Sequence, residues 1–345
     1  MRTQLLPWLL LLAIAPPMAS LAHDPLREDD EHHYRHDLPG DSLVPERPDL
    51  AAVRTFVVSF RETGDDAHLD DAWKLLRPAL DRPANDPEVL TAAAFVAQSR
   101  HEFQYAEQLI GRAQAISPNN DEGWLLLASI RLVRGESQSA AEACARLQAV
   151  PLLIVLTCKA RVELAGDNHD RALAQLQRLL DVTALDELPP DLLAWSYSVL
   201  GDLAVQAGEM QQALDSYRRS LALAERTQVR AAYVDALMEL RLPDAAWQAL
   251  NEGPPALPLL VRRLIVAKEL GRLGEWQAVL TRVEREFEAW INQSDWLHAR
   301  EMTRFFIDVV DRPELARRLA LINLQLQREP EDRHLERRTR QREST

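Results

Sequence analysis

The chain has 345 residues, of which 47% are hydrophobic and 27% charged, and its formal net charge is −13. An acidic balance of this size excludes a general nucleic-acid binder, which needs a basic face to displace phosphate counterions. Only 11 glycines occur, helix formers (Ala, Leu, Arg, Glu, Gln) dominate, and no run alternates at the strand period, so the composition predicts an all-α protein.

Residues 1–22 place one Arg before an apolar run from Leu5 to about Ala15, then two prolines, then the small residues Ser20 and Ala22 at cleavage-site spacing. This pattern is that of a secretory signal peptide and is too short to span a membrane. Cleavage after Ala22 puts the mature protein in a secreted or periplasmic setting that permits disulfides. Residues 23–48 are acidic, His-rich and Pro-rich and bury too little to offset chain ordering, so they read as a disordered leader. Within it, His23, His32, His33 and His36 are candidate ligands for a divalent metal, through the new α-amine beside His23 or a shared helix face for His32 and His36. The bland alternative is a solvated polar segment. No other cofactor is suggested.

Helical periodicity begins at Asp49 and continues to about residue 330. Hairpin one is DLAAVRTFVVSFRETGDDAHLDDAWKLLRPAL, with a long turn at residues 63–66. Hairpin two runs from Pro87 to Pro118. Hairpin three begins DEGWLLLASIRLVRGESQSA, where Trp124, Ala128, Gly135 and Ala140 have the spacing of a helix-turn-helix repeat of about 34 residues. Hairpin four has one extra turn residue. Hairpin five carries Gly201, Gly208, Ala213, Tyr217 and Ser220 on pattern. Small residues at these positions let helix backbones approach while Leu, Trp and Tyr fill the gaps. After Thr227 the register weakens, although turns at 242–244, 271–274 and 311–313 still divide helical stretches. The last 15 residues, 331–345, mix charges of both signs and read as a frayed helix or tail.

Cys144 and Cys158 stand equidistant from Pro151, the expected turn between two antiparallel helices, so they should face each other. In an oxidising compartment a disulfide is the leading reading, closing a loop of about 15 residues worth on the order of 3 kcal/mol. Two buried thiols are the alternative. No nucleophile elbow, phosphate loop or dinucleotide fingerprint occurs, so an enzyme is not expected.

The Trp124–Ala140 stretch and its counterparts in hairpins two and five resemble the tetratricopeptide repeat family, over roughly residues 50–330. The resemblance extends to secreted bacterial members through RETGDDAHLDDAWKLL, SRHEFQYAEQLI and the paired cysteines. It implies a right-handed superhelical solenoid of antiparallel hairpins, with a concave groove lined by the first (A) helix of each hairpin, binding a protein or peptide. In that frame Arg54, Arg61, Phe95, Gln98, Ser129, Trp195, Ser198 and Asp202 point into the groove. The family's Lys/Asn clamp for a C-terminal carboxylate is absent, since the corresponding positions hold Arg54 and Val58, Thr91 and Phe95, Leu125 and Ser129, and Ser198 and Asp202. The expected function is a secreted or periplasmic scaffold binding a protein or peptide, with a metal-handling accessory protein as the second reading. The sequence leaves partner identity and oligomeric state open.

Overall fold

A computed structural model describes residues 47–343 except 64–66, 82–85 and 167. Among them, sixteen helices pair into eight hairpins and a seventeenth follows. The pairs are α1 (Leu50–Thr63) with α2 (Ala67–Leu80), α3 (Pro87–Ser99) with α4 (Phe103–Ile116), and α5 (Asp121–Val133) with α6 (Ser137–Cys144). Next come α7 (Leu152–Glu163) with α8 (His169–Val182), α9 (Pro190–Gln206) with α10 (Met210–Leu223), and α11 (Thr227–Glu239) with α12 (Pro243–Asn251). The last pairs are α13 (Leu257–Glu269) with α14 (Gln277–Gln293), and α15 (Ala299–Arg304, continuing as a π-turn Phe305–Val309) with α16 (Pro313–Leu326). Helix α17 spans Pro330–Glu343. No helix among the described residues is long and apolar enough to cross a membrane.

The two helix types differ as their sequences require. Odd-numbered helices α3, α5 and α9 are apolar nearly all round, and in α3 every residue from Val89 to Ser99 is buried. A helix without a polar stripe must be covered on all sides. Helices α8 and α10 bury one stripe only and leave the rest to solvent. Helix α3 starts where Asp86 caps it, its carboxylate accepting the Glu88 amide at 2.9 Å, with Pro87 in the first turn, where its missing donor costs nothing.

A shared turn carries the repeat through the region where the sequence pattern weakens. His101, Gly135, Gly208, Arg241, Gly271 and Asp311 all have positive φ between 58° and 78°. In the first five turns the next amide bonds back to the carbonyl five residues earlier, as Glu136 N does to Arg131 O at 2.8 Å and Leu242 N to Leu237 O at 3.0 Å. This left-handed cap ends one helix and aims the chain back along it. Close approach inside a hairpin is clearest at Gly201, where an added Cβ would lie 2.5 Å from Tyr217 Cε1.

The packing forms two apolar cores. The larger runs from Val53 to Val266, and the smaller from Leu257 to Leu335; both draw on α13. In the smaller core Phe287, Trp290, Phe305 and Phe306 interlock, with the Phe287 and Phe305 rings edge to face at 5.2 Å. Between α6 and α7, Cys144 and Cys158 form a disulfide with Cα atoms 5.8 Å apart, both residues buried. The turn at Pro151 therefore brings the two helices together as their equal spacing from it predicted.

Of the frayed helix or tail expected at 331–345, the described residues form a helix. Residues to Glu343 form α17, which buries Asp332, Leu335, Glu336 and Thr339. A sequence this polar looks like a solvated tail, but its carboxylates find buried guanidinium partners described below.

Candidate protein-binding face

The odd-numbered helices α5, α7, α13 and α15 share one side of the stack, termed the inner face. Late in the chain it is closed by residues 327–333, which cross back to the earlier hairpins. The Arg328 amide donates to the Val133 carbonyl at the end of α5, at 2.6 Å. Glu329 pairs with Arg161 of α7 at 3.9 Å and with Arg300 of α15 at 2.8 Å. Gly135, in the α5–α6 turn, has Arg328 and Arg333 side chains so near that an added Cβ would meet both at 2.9 Å.

Four arginines converge on this crossing from three helices, and all are nearly buried. Their side chains are 12% (Arg161), 4% (Arg262), 8% (Arg300) and 10% (Arg304) exposed. Arg300 grips Asp332 with two bonds, Nε to Oδ1 at 2.6 Å and Nη2 to Oδ2 at 2.8 Å. The same carboxylate accepts from Asn323 Nδ2 at 2.6 Å and from the Glu329 amide at 2.9 Å, so all its lone pairs are used. Arg304 bonds to Glu331 and also lies 3.1 Å from Asp235, while Arg262 pairs with Asp235 at 2.8 Å and with Glu301 and Glu331 at 3.5 Å. Buried charges are tolerated only when compensated in this way.

The electrostatics follow. Burial alone would raise the Glu331 carboxyl, but Arg304, Arg300 and Arg262 hold it well below the usual carboxylate range. Burial would lower Arg300, and Asp332, Glu331 and Glu329 push it well above its ordinary value. Glu301 moves the other way, because burial outweighs Arg262 and Arg304 and raises it. Asp202, further along the same face, is raised to about 7 by burial, against the Tyr217 hydrogen bond and Arg161, which lower it. His101 is lowered to about 4, first by burial and then by His298 and Arg300.

The residues expected to face the groove are distributed differently. Phe95 (1% exposed) and Trp195 (2%) lie in the larger core, and Gln98 (4%) is buried. Trp195 therefore packs between helices and does not stand free as a platform. Ser198 is 9% exposed and its hydroxyl donates to the Trp195 carbonyl at 2.7 Å. Ser129 accepts from Arg161 at 3.3 Å and Asp202 accepts from Tyr217 at 2.7 Å. Arg54 is partly buried; the Arg61 side chain lies outside the described residues, as do His23, His32, His33 and His36. Among the described residues no group of three or more His, Cys, Asp or Glu is placed to hold a metal ion.

Sequence reasoning missed Arg161, Arg262, Arg300, Arg304 and the run Glu329–Asp332. A signal existed: Arg300, Glu301 and Arg304 share one helical stretch with Met302 and the apolar Phe305, Phe306 and Ile307, and charges inside such a stretch demand partners.

A stack of paired helices of this kind is a helical solenoid. The tetratricopeptide-repeat family model matches residues 152–226 of the chain. It is similar to the structure of an APC/C hetero-tetramer, Cut9-Hcn1, at 17% identity and a TM-score of 0.46, covering 84% of this chain and 48% of that one. The chain thus spans about half the length of that relative. It is also similar to pilF of Pseudomonas aeruginosa (19% identity, TM-score 0.43, 59% and 96% covered). A tetratricopeptide repeat protein from Parabacteroides merdae matches at 13% identity and a TM-score of 0.41, with 84% and 99% covered. No curated protein matches the sequence.

Proposed function

We propose that this protein is an exported scaffold that binds a protein or peptide on its inner, odd-helix face. The observation that carries the reading is that this face already holds a polypeptide segment. Residues 327–332 lie against it through a main-chain bond to Val133 and side-chain bonds to Arg161 and Arg300. A surface that satisfies one chain segment with backbone and charged contacts is suited to another.

Export rests on the signal-like residues 1–22 and agrees with a buried disulfide, since such bonds persist in oxidising compartments. A divalent metal at His23, His32, His33 and His36 is a separate proposal, read by titrating the mature protein with Cu²⁺ and Zn²⁺.

The test of the main reading places a photo-crosslinking residue at position 54 or 161 of the inner face, or at 218 on α10, where Arg218 is 59% exposed. Discrete protein adducts confined to positions 54 and 161 are expected. Adducts at all three positions in equal yield, or at 218 alone, refute an inner-face site. Mass spectrometry of the exported protein should give His23 as the first residue; an intact Met1 refutes export.

A further inference from the structure

We propose that the cluster of Arg161, Arg262, Arg300 and Arg304 is a recognition site for an acidic peptide, held here in cis by Glu329–Asp332 and released to a partner that offers the same carboxylates. The proposal rests on the inner face being the binding surface.

Charge balance is the first support. The four guanidinium groups come from α7, α13 and α15, and the wall around them supplies two carboxylates in their immediate pairing, Asp235 and Glu301. That leaves an excess of two positive charges among these groups, on guanidinium side chains each at most 12% exposed. Glu329, Glu331 and Asp332 supply the counter-charge from a single four-residue stretch. The wall alone is therefore an anion-seeking surface, and its specificity is for carboxylates at the first, third and fourth positions of a short run.

The second support is how little else holds the occupant. Leu335 is the one buried hydrophobic residue of α17, and the remaining buried positions are Asp332, Glu336 and Thr339. It packs along α16, and its outer ion pairs are more exposed: Arg338 with Asp308, Arg342 with Asp311 at 3.7 Å, and Arg317 with Glu343 at 2.9 Å. An element anchored mainly by charge is open to a competitor of like charge, and its exposed outer pairs weaken with salt.

The third support is backbone geometry. Gln327 is extended (φ −137°, ψ 142°), Arg328 offers its amide to Val133, and Pro330 then opens a helix. A fitting partner segment has one extended residue, then a helix start bearing the carboxylates. A second copy's own C-terminus has the same chemistry, and the experiment separates it.

The experiment uses the full chain. A fluorescent peptide of residues 323–343 is titrated by anisotropy into the wild type, into Glu331→Gln/Asp332→Asn, and into the milder Glu329→Gln in case the double variant folds poorly. The loosened variants should bind the peptide at least tenfold more tightly than the wild type. Binding should fall as NaCl rises and vanish for a peptide whose three carboxylates are replaced by amides. The proposal is overturned if variants with wild-type helical circular dichroism bind no better than the parent, or if the amide peptide binds equally. Concentration-dependent dimerisation of the variants in place of peptide binding also overturns it, assigning the site to a second copy. Crosslinks at positions 54 and 161 without peptide binding would retain the scaffold reading and remove only this inference.

Discussion

Asp332→Ala is the most demanding perturbation of the crossing. Asp332 is 1% exposed, and its two oxygens receive four bonds: two from Arg300, one from Asn323 and one from the Glu329 amide. Truncation leaves the buried Arg300 without its bidentate partner and orphans a buried amide and a backbone N–H. Breaking a buried ion pair from one side costs about 3–5 kcal/mol. Glu329 and Glu331, both still within reach of Arg300, offset part of this, so the expected loss is about 3 kcal/mol. The control is Arg342→Ala, in the same helix, whose pair with Asp311 at 3.7 Å is exposed on both sides (58% and 68%); it should cost no more than about 0.5 kcal/mol. Urea unfolding followed by tryptophan fluorescence reads the right region, because Trp290 sits 4.7 Å from the His298 ring in the smaller core. Since the two cores can unfold separately, the later-chain transition is fitted by itself. A double-mutant cycle with Arg300→Ala should return a large coupling. Equal losses for Asp332→Ala and Arg342→Ala would refute the reasoning, because Asp332 would then be as solvated as a tail residue.

Three further outcomes are expected. Gly201→Ala should lose about 1–3 kcal/mol by overpacking, more than the roughly 1 kcal/mol of helix propensity gained, since its Cβ would lie 2.5 Å from Tyr217; a higher Tm would contradict this. Cys144 and Cys158 should resist alkylation until reductant is added, and reduction should cost about 3 kcal/mol in the chain-entropy model, read as a fall in the unfolding midpoint; free labelling without reductant would deny the bridge. Asp202 has a folded value of about 7, above its ordinary 3.8, so the folded state holds its proton more tightly and stability falls as pH rises from about 4 to 7. Asp202→Asn should match the parent near pH 4 and exceed it at pH 8, by at most about 4 kcal/mol, and less where solvent reaches the carboxyl; an unchanged pH profile counts against the burial.

The hairpins were legible because their signals are local. Trp124, Ala128, Gly135 and Ala140 record a crossing and a left-handed turn within one repeat. The same holds for the cysteines, whose equal distance from Pro151 suffices once the turn is known. Register after Thr227 was not legible, because Arg241 and Asp311 take the left-handed turn position that Gly135 and Gly208 mark openly. A non-glycine there carries modest strain and no compositional trace. The inner face was only partly legible. The repeat frame predicts which way Phe95 and Trp195 point, but whether those directions meet solvent depends on neighbouring helices and on a segment far along the chain. Charged residues suffer most: Arg300 and Asp332 look like surface residues singly and become interior ones only as a pair.

The central claim is that the C-terminal segment closes the inner face and is not a free tail. Amide hydrogen exchange of the native full chain, read by mass spectrometry over residues 323–343 together with the α5 end at 127–136, tests it most directly. The account predicts slow exchange in residues 333–343 at low salt, accelerating in Glu331→Gln/Asp332→Asn. Complete exchange of residues 333–343 at the earliest time point in the wild type would contradict it.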